Sequence, residues 1–245
     1  MCGIAGLIYK NSTTVLEESL KKMTDKMSHR GPDAEGFFVH QNLGLGHRRL
    51  SIIDISESAN QPFFLEDKHI LVFNGAIYNY IEIREELKQN GYFFKTTSDT
   101  EVLLNSYDFW GEDCVSKFNG MWSFAIYDKK ANKLFCSRDR FGVKPFYYYT
   151  DKDKFIFASE IKPILEIEKA ENINLQVLLQ YLIINISDQT NETFFENILK
   201  LPGSHNLVYD LNTHEFNIYK YYDIKFKEEI NKLNLQESID IFEKE

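Results

Sequence analysis

The strongest constraint on the fold is a pair of alternating apolar runs, each broken by a short polar turn. MWSFAIYD and KLFCSRD flank the turn KKAN, and FYYYT and KFIFASE flank DKDK. Each reads as an antiparallel hairpin, because side chains alternate faces along a strand and a few polar residues suffice to reverse the chain. Further β-like runs are EGFFVH, LGLGHRRLSIID, HILVFNG, HNLVYD and EFNIYKYY. Helical spacing appears in bunches rather than after each strand. Thr14 and Glu17 have capping-box spacing ahead of Leu16, Leu20, Met23 and Met27, and the pattern stops at Gly31 and Pro32. A second helix fits Tyr80 to Asn90 and ends at Gly91. A third starts at Ser98 and Glu101, again with capping-box spacing, and another fits Leu175 to Ile184. Strands in pairs and helices in groups predict an α+β fold with antiparallel sheets, not a doubly wound parallel one.

With 245 residues, 43% of them hydrophobic, the chain can build one large core or one domain and part of another. After about Asp223 the composition turns highly charged, while Leu235, Ile239 and Phe242 keep a helical stripe. That stripe is expected either to enter a further domain or to dock on a partner. The formal charge of -9 argues against nucleic acid and anionic membrane as main partners. No run approaches the ~20 apolar residues of a membrane span, and the apolar run after Cys2 lacks the basic region of a secretion signal. The three cysteines, Cys2, Cys114 and Cys136, are too far apart for a zinc site or a disulfide framework. The expectation is a cytoplasmic protein with reduced thiols, Cys114 and Cys136 being buried in apolar surroundings.

Several short stretches carry candidate chemistry. The chain begins MCGIAGL. If Met1 is trimmed, Cys2 bears a thiol and an α-amine whose ordinary pKa values are ~8.5 and ~7.7–8.0, so the amine can act as base for its own thiol. Taken alone, Cys2 reads equally as a chance small residue. In FNGAIYNY the Asn74 amide and the Gly75 N–H can stabilise an oxyanion, or Asn-Gly can simply turn a hairpin. Of Arg48 and Arg49 only one can face inward, and it needs a carboxylate from protein or ligand; both could also be solvated. Asp99 can complement a helix dipole or bind a ligand ammonium. HRGPD reads as a shaped loop, and SRDRFGVKPFYY as a buried ion-pair corner rather than a catalytic site.

In order, MCGI, HRGPD, GH-x-RLSI, NG-x-IYN, SD-x-E, GM-x-x-F-x-x-YD, RDR-x-G-x-KP-x-YY and F-x-SE-x-K resemble the glutaminase domain of the asparagine synthetase family, a class II glutamine amidotransferase domain. The resemblance implies an N-terminal-nucleophile hydrolase fold, a four-layer αββα sandwich of two antiparallel sheets. It implies a glutaminase domain over residues 1–210, with 211–245 as connecting strand and linker leading to a synthase domain or a partner-docking helix. It also implies roles. Cys2 would be the nucleophile and its α-amine the base. Asn74 and Gly75 would form the oxyanion hole. Arg49 would hold the glutamine α-carboxylate and Asp99 its α-ammonium, with backbone near Leu50 and Ile52 lining the pocket. Glutamine would be hydrolysed through a γ-glutamyl thioester and the ammonia passed to a synthase domain in the same longer chain or in a separate subunit. No metal or cofactor is implied in this domain. ATP and Mg belong to the synthase domain, whose SGG-x-DSS loop this sequence lacks. A homodimer is left open.

One departure stands out. The family usually reads NGEIYN, with the Glu on the substrate ammonium, where this chain has Ala76. Losing one charged hydrogen bond to a ligand costs about 1.5–3 kcal/mol, roughly ten- to a hundredfold in affinity. The resemblance leaves the ammonia acceptor open between aspartate and another carboxylate, such as a sugar acid. A non-catalytic interaction module that kept the fold is the reading of a different class.

Overall fold

The computed structural model describes residues 1–169, 172–224 and 234–242. Two six-stranded antiparallel sheets lie face to face. The first has β1 (Gly3–Tyr9), β2 (Ala34–His40), β3 (Leu43–Arg49), β8 (Tyr147–Thr150), β9 (Lys154–Ala158) and β10 (Ile198–Lys200), in the order β10-β8-β9-β1-β3-β2. The second has β4 (Phe63–Leu65), β5 (His69–Ile77), β6 (Gly120–Asp128), β7 (Lys133–Arg138), β11 (His205–Asp210) and β12 (Phe216–Lys220), in the order β12-β11-β7-β6-β5-β4. Both expected hairpins form, as β6–β7 and β8–β9.

Alternation sorts the core into three layers. Ile4, Ile8, Leu45, Val72, Ala125, Leu134, Phe155, Phe157 and Leu207 meet between the sheets. On the outer face of the first sheet, Ala5, Leu7 and Ile156 pack on Leu20 and Met23 of α1 (Glu17–Asp25) and Ile164 of α4 (Ile161–Ile167). On the outer face of the second, Leu71, Phe73 and Phe124 pack on Ile83 and Leu87 of α2 (Tyr80–Gln89) and Val102 and Leu103 of α3 (Asp99–Trp110). Each fully buried Leu, Ile or Phe contributes roughly 1.5–3 kcal/mol of transfer free energy. Because both faces of β1 and β5 are covered, the runs Ile4–Ile8 and Ile70–Phe73 are apolar without a break instead of strictly alternating. The layers run helix, sheet, sheet, helix, as the resemblance implies.

Several local expectations give way to tertiary contacts. The Thr14–Glu17 capping box does not form: α1 starts at Glu17 behind Leu16, without a side-chain cap. Val15 is buried and its amide is tied to the Gln41 carbonyl at 2.9 Å, which delays the helix. At α3 only half of a capping box forms. The Ser98 side chain accepts the Thr100 amide, but the Glu101 carboxylate is taken by the amides of Lys95 and Thr96. LGLGHRRLSIID is a strand only to Arg49; from Leu50 the chain runs as a loop to the edge strand β4, which carries too few residues to show a period. Asn74-Gly75 is no turn and lies inside β5. α5 is Leu175–Ile184, the range read from the spacing. Of the charged run after Asp223, residues 225–233 lie outside the described ones. The helical stripe falls on α6 (Leu235–Phe242), where Leu235 and Ile239 are exposed. No helix among the described residues is long and apolar enough to cross a membrane.

Candidate active site

The ends of β1, β3 and β5 converge on one cavity of about 210 Å³. Cys2, Arg49, Leu50, Ile52, Asn74, Gly75 and Asp99, all singled out in the sequence, line it. The two sheets supply opposite walls. In the first, Gly3 pairs with Arg48 and Ile4 with His47. Cys2 and Arg49 therefore continue the rows that face the second sheet. In the second, Asn74 shares the inter-sheet face of β5 with Val72.

Cys2 is held at the start of β1. Its Sγ lies 3.4 Å from the Leu50 amide and 3.7 Å from the Leu50 carbonyl. Arg30 Nε donates to the Cys2 carbonyl at 2.9 Å, and the Met1 ammonium donates to the Arg30 carbonyl at 3.0 Å. Burial pushes the Cys2 thiol pKa up, with the Leu50 backbone, the N-terminal charge and Arg49 pulling the other way. The resting group is therefore a thiol, which needs a base to become a nucleophile.

The outer edge of β5 faces the cavity. In the β5–β6 ladder Gly75 is opposite Trp122. The Trp122 amide and carbonyl are bonded to Asp139 on the far side, so this is a pair without mutual hydrogen bonds. Gly75 thus turns its N–H outward, on the same edge as the amides of Phe73 and Ile77. The Phe73 amide is taken by Gln61 Oε1 at 2.6 Å and the Ile77 amide by Asp99 Oδ2 at 3.0 Å. Between them, the Gly75 amide aims into the cavity. A side chain at Gly75 is excluded, because a Cβ would lie 2.3 Å from the Met121 carbonyl. Asn74 is 1% exposed, and its Nδ2 is a buried donor with no hydrogen-bond partner among the described residues. Such a group costs about 1–3 kcal/mol unless a ligand completes it.

The two neighbouring arginines divide as the alternation requires. Arg48 turns to the helix side and pairs with Glu35 at 2.7 Å and with Asp25. Arg49 points inward and donates to the Ser56 carbonyl and Asn60 Oδ1, each at 2.7 Å, and to the Asp54 carbonyl. Among the described residues it has no carboxylate partner, which leaves its charge for an anionic ligand. Asp99, at the first turn of α3, is 4% exposed. Burial raises its pKa to about 6, against the opposing pull of the Ile77 amide and of the backbone at Asp99 and Thr100. One cavity thus holds a thiol, two unspent donors, an unpaired guanidinium and a buried carboxylate. That set can bind a zwitterion and stabilise an oxyanion beside the thiol.

Three further features were not legible as site residues. His47 is fully buried, and its Nε2 bonds the Phe73 carbonyl at 3.0 Å, joining the sheets one residue before Asn74. Gln61, from the loop before β4, fixes the other side of Phe73. Lys144 reaches the cavity from the corner SRDRFGVK. That corner is not the ion-pair knot expected from its sequence. The Asp139 carboxylate accepts backbone amides of Phe141, Val143 and Lys144, and Arg138 donates to backbone carbonyls. Backbone partners satisfy these charges because the turn leaves its own peptide groups unpaired.

The sequence matches the glutamine amidotransferase domain family over residues 1–222. It is 43% identical over 209 residues to glutamine-hydrolysing asparagine synthetase 1 of Bacillus subtilis, covering 83% of this chain and 33% of that protein. It is 36% identical over 230 residues to asparagine synthetase 3 of the same organism, covering 92% and 37%. The chain spans about half the length, or less, of the curated relatives it matches. Among solved structures, glutamine phosphoribosylpyrophosphate amidotransferase of B. subtilis superposes with a TM-score of 0.66 at 16% identity, over 91% of this chain and 50% of that one. That likeness is one of fold, the αββα sandwich.

Proposed function

The chain belongs to the glutamine amidotransferase domain family, and from that premise we propose that its cavity hydrolyses glutamine to glutamate and ammonia. Removal of Met1 frees the Cys2 α-amine. The amine takes the thiol proton as Sγ attacks the γ-carbonyl carbon of glutamine. Asn74 Nδ2 and the Gly75 amide hold the oxyanion of the tetrahedral intermediate. The protonated amine returns the proton to the leaving nitrogen, and ammonia departs from a γ-glutamyl thioester. Water, deprotonated by the same amine, then releases glutamate. Arg49 holds the substrate α-carboxylate and Asp99 its α-ammonium, while Leu50 and Ile52 line the way in. The observation that carries this reading is the unpartnered Asn74 Nδ2 in the same cavity as Cys2.

The ammonia is consumed in a synthase domain that uses ATP and Mg, in a longer chain or a separate subunit. The support is the relatives' names and the share of their length that this chain spans. The acceptor is a carboxylate, aspartate being the first choice from those names. Protein starting at Cys2 should bind an electrophilic glutamine analogue covalently, one per chain, and release glutamate from glutamine. Cys2→Ala should lose both. Glutamate release that survives in Cys2→Ala would refute the reading.

A further inference from the structure

The corner between β7 and β8 mounts one lysine with unusual firmness. Arg138 Nε donates to the Lys144 carbonyl at 2.7 Å, and the same guanidinium donates to the Gly142 and Leu201 carbonyls at 2.7 and 2.6 Å. Asp139 Oδ2 accepts the Lys144 amide at 2.9 Å. Both peptide groups of Lys144 are therefore fixed, and Gly142 makes the turn at a φ of +66°, where a side chain is disfavoured. A surface lysine needs no such mounting. Lys144 is 6% exposed, and its Nζ lies 3.4 Å from Met1 Sδ in the cavity that holds Cys2. A thioether is a weak acceptor, and among the described residues it is the Nζ group's one hydrogen-bond contact. The ammonium thus ends in the region that Met1 occupies and would vacate.

We propose that Lys144 tunes the base, its ammonium keeping the Cys2 α-amine in the free-base form once Met1 has gone. This rests on the reading that the Cys2 amine is the base. An ordinary α-amine, with a pKa of ~7.7–8.0, is mostly protonated at pH 7 and cannot accept a proton. A fixed positive charge nearby disfavours a second one and shifts the amine toward its neutral form. The same charge favours the later step, in which the protonated amine gives its proton to the departing nitrogen.

The other charged groups around Nζ reinforce or spare this effect. Arg30 is a second cation, its Nη2 4.0 Å from the same Met1 sulfur. Glu160 is engaged by Arg30 at 3.0 Å and by His29 at 2.9 Å. The Asp139 carboxylate is occupied by four backbone amides, those of Trp122, Phe141, Val143 and Lys144. Asp99 is bound to the Ile77 amide at the β5 edge. Burial, joined by the Arg30 charge, lowers the Lys144 pKa, while Cys2 and Asp139 oppose that shift.

The test titrates the amine itself. Chains beginning at Cys2, with ¹⁵N-labelled cysteine, are followed by NMR against pH for wild type, Lys144→Met and Lys144→Arg. The wild-type amine should titrate about one unit below the ordinary ~7.7–8.0, Lys144→Met should return it there, and Lys144→Arg should keep it low. The acid limb of kcat/KM for glutamine should move up by the same amount in Lys144→Met. Coincident amine titrations in wild type and Lys144→Met would overturn the proposal, whatever the turnover. Should wild type show the low amine pKa but hydrolyse no glutamine, the glutaminase reading falls and the role of Lys144 stands. Lys144→Gln repeats the measurement with a polar side chain if the methionine variant does not fold.

Discussion

Asp99 accepts the amide of Ile77 at 3.0 Å, two residues beyond Gly75 on the same outer edge of β5. The carboxylate proposed to receive the substrate ammonium is thereby tied to the strand that carries both proposed oxyanion donors. Substrate grip and oxyanion geometry share one piece of backbone.

Burial raises Asp99 to about 6, so its charge fades as pH falls through that value. The KM for glutamine should rise below pH 6 as the carboxylate is protonated. Asp99→Asn should raise KM roughly ten- to a hundredfold at pH 7.5, the worth of one charged hydrogen bond. Position 76, next to Gly75, is Ala and supplies no carboxylate of its own, and the Asp54 carboxylate is taken up by Ser56 and Thr97. Stability should move the other way. A carboxyl with a folded pKa above its unfolded one costs stability as pH rises through 6. Asp99→Asn should therefore melt higher than wild type at pH 7.5 and level with it at pH 4. A KM that stays flat from pH 7.5 to 5 would remove Asp99 from substrate binding.

The N-terminal arrangement gives a sharper result. With Met1 in place, the Cys2 nitrogen is a peptide nitrogen and cannot act as base, while the Met1 ammonium is bound to the Arg30 carbonyl. Protein that retains Met1, or carries a tag before Cys2, should release no glutamate. Cleavage to expose Cys2 should switch the activity on. Mass spectrometry and glutamate release on the same samples decide it. Turnover by chains shown to be uncleaved would mean that the base lies elsewhere.

For Asn74 the expected loss is in the chemical step. If Asn74 holds the oxyanion as proposed, Asn74→Ala removes a donor for a charge absent from the ground state, so kcat should fall about 10²–10³-fold with KM nearly unchanged. Because Nδ2 has no hydrogen-bond partner among the described residues, deleting it removes a burial cost that offsets the loss of packing, and thermal stability should not fall. A large drop in melting temperature with a proportionate rise in KM would mark Asn74 as structural instead.

What the sequence revealed, and what it hid, follows from the range of the forces involved. The β6–β7 and β8–β9 hairpins and α5 were legible because alternation, turns and helical spacing act over a few residues. The capping boxes misled because other partners claimed the chain around them: the Gln41 carbonyl holds the Val15 amide ahead of α1, and the amides of Lys95 and Thr96 take the Glu101 carboxylate. Asn74-Gly75 carries a turn signal, yet pairing with Ser123 and Trp122 keeps it in a strand. The meeting of Cys2 with Asn74 across the sandwich depends on sheet packing, which no local pattern encodes; ordered motifs suggested it through resemblance alone. Lys144 stands in SRDRFGVKPFYY, whose charges by themselves suggest an ion-pair corner. Its reach into the cavity follows from a backbone shaped by Arg138 and Asp139, which residue types alone do not specify.

The cross-sheet bond from His47 to Phe73 has a consequence for acid stability. The Phe73 carbonyl can only accept, so His47 Nε2 carries a proton and donates it, and burial keeps the ring neutral. Burial lowers its pKa to about 3 from an ordinary 6.5, the Phe73 hydrogen bond opposing the shift and the Arg49 charge adding to it. Between those values the unfolded chain binds a proton that the folded one does not, so stability falls as pH falls through that window. By pH 5 the loss from this residue is about 2 kcal/mol. His47→Gln keeps an amide donor for the carbonyl but cannot become charged. Urea unfolding at pH 7.5 and pH 5 should therefore show wild type losing about 2 kcal/mol more than His47→Gln between the two. Equal losses in the two proteins would mean that the ring is charged inside the sandwich, or is not the group that makes the sheets part in acid.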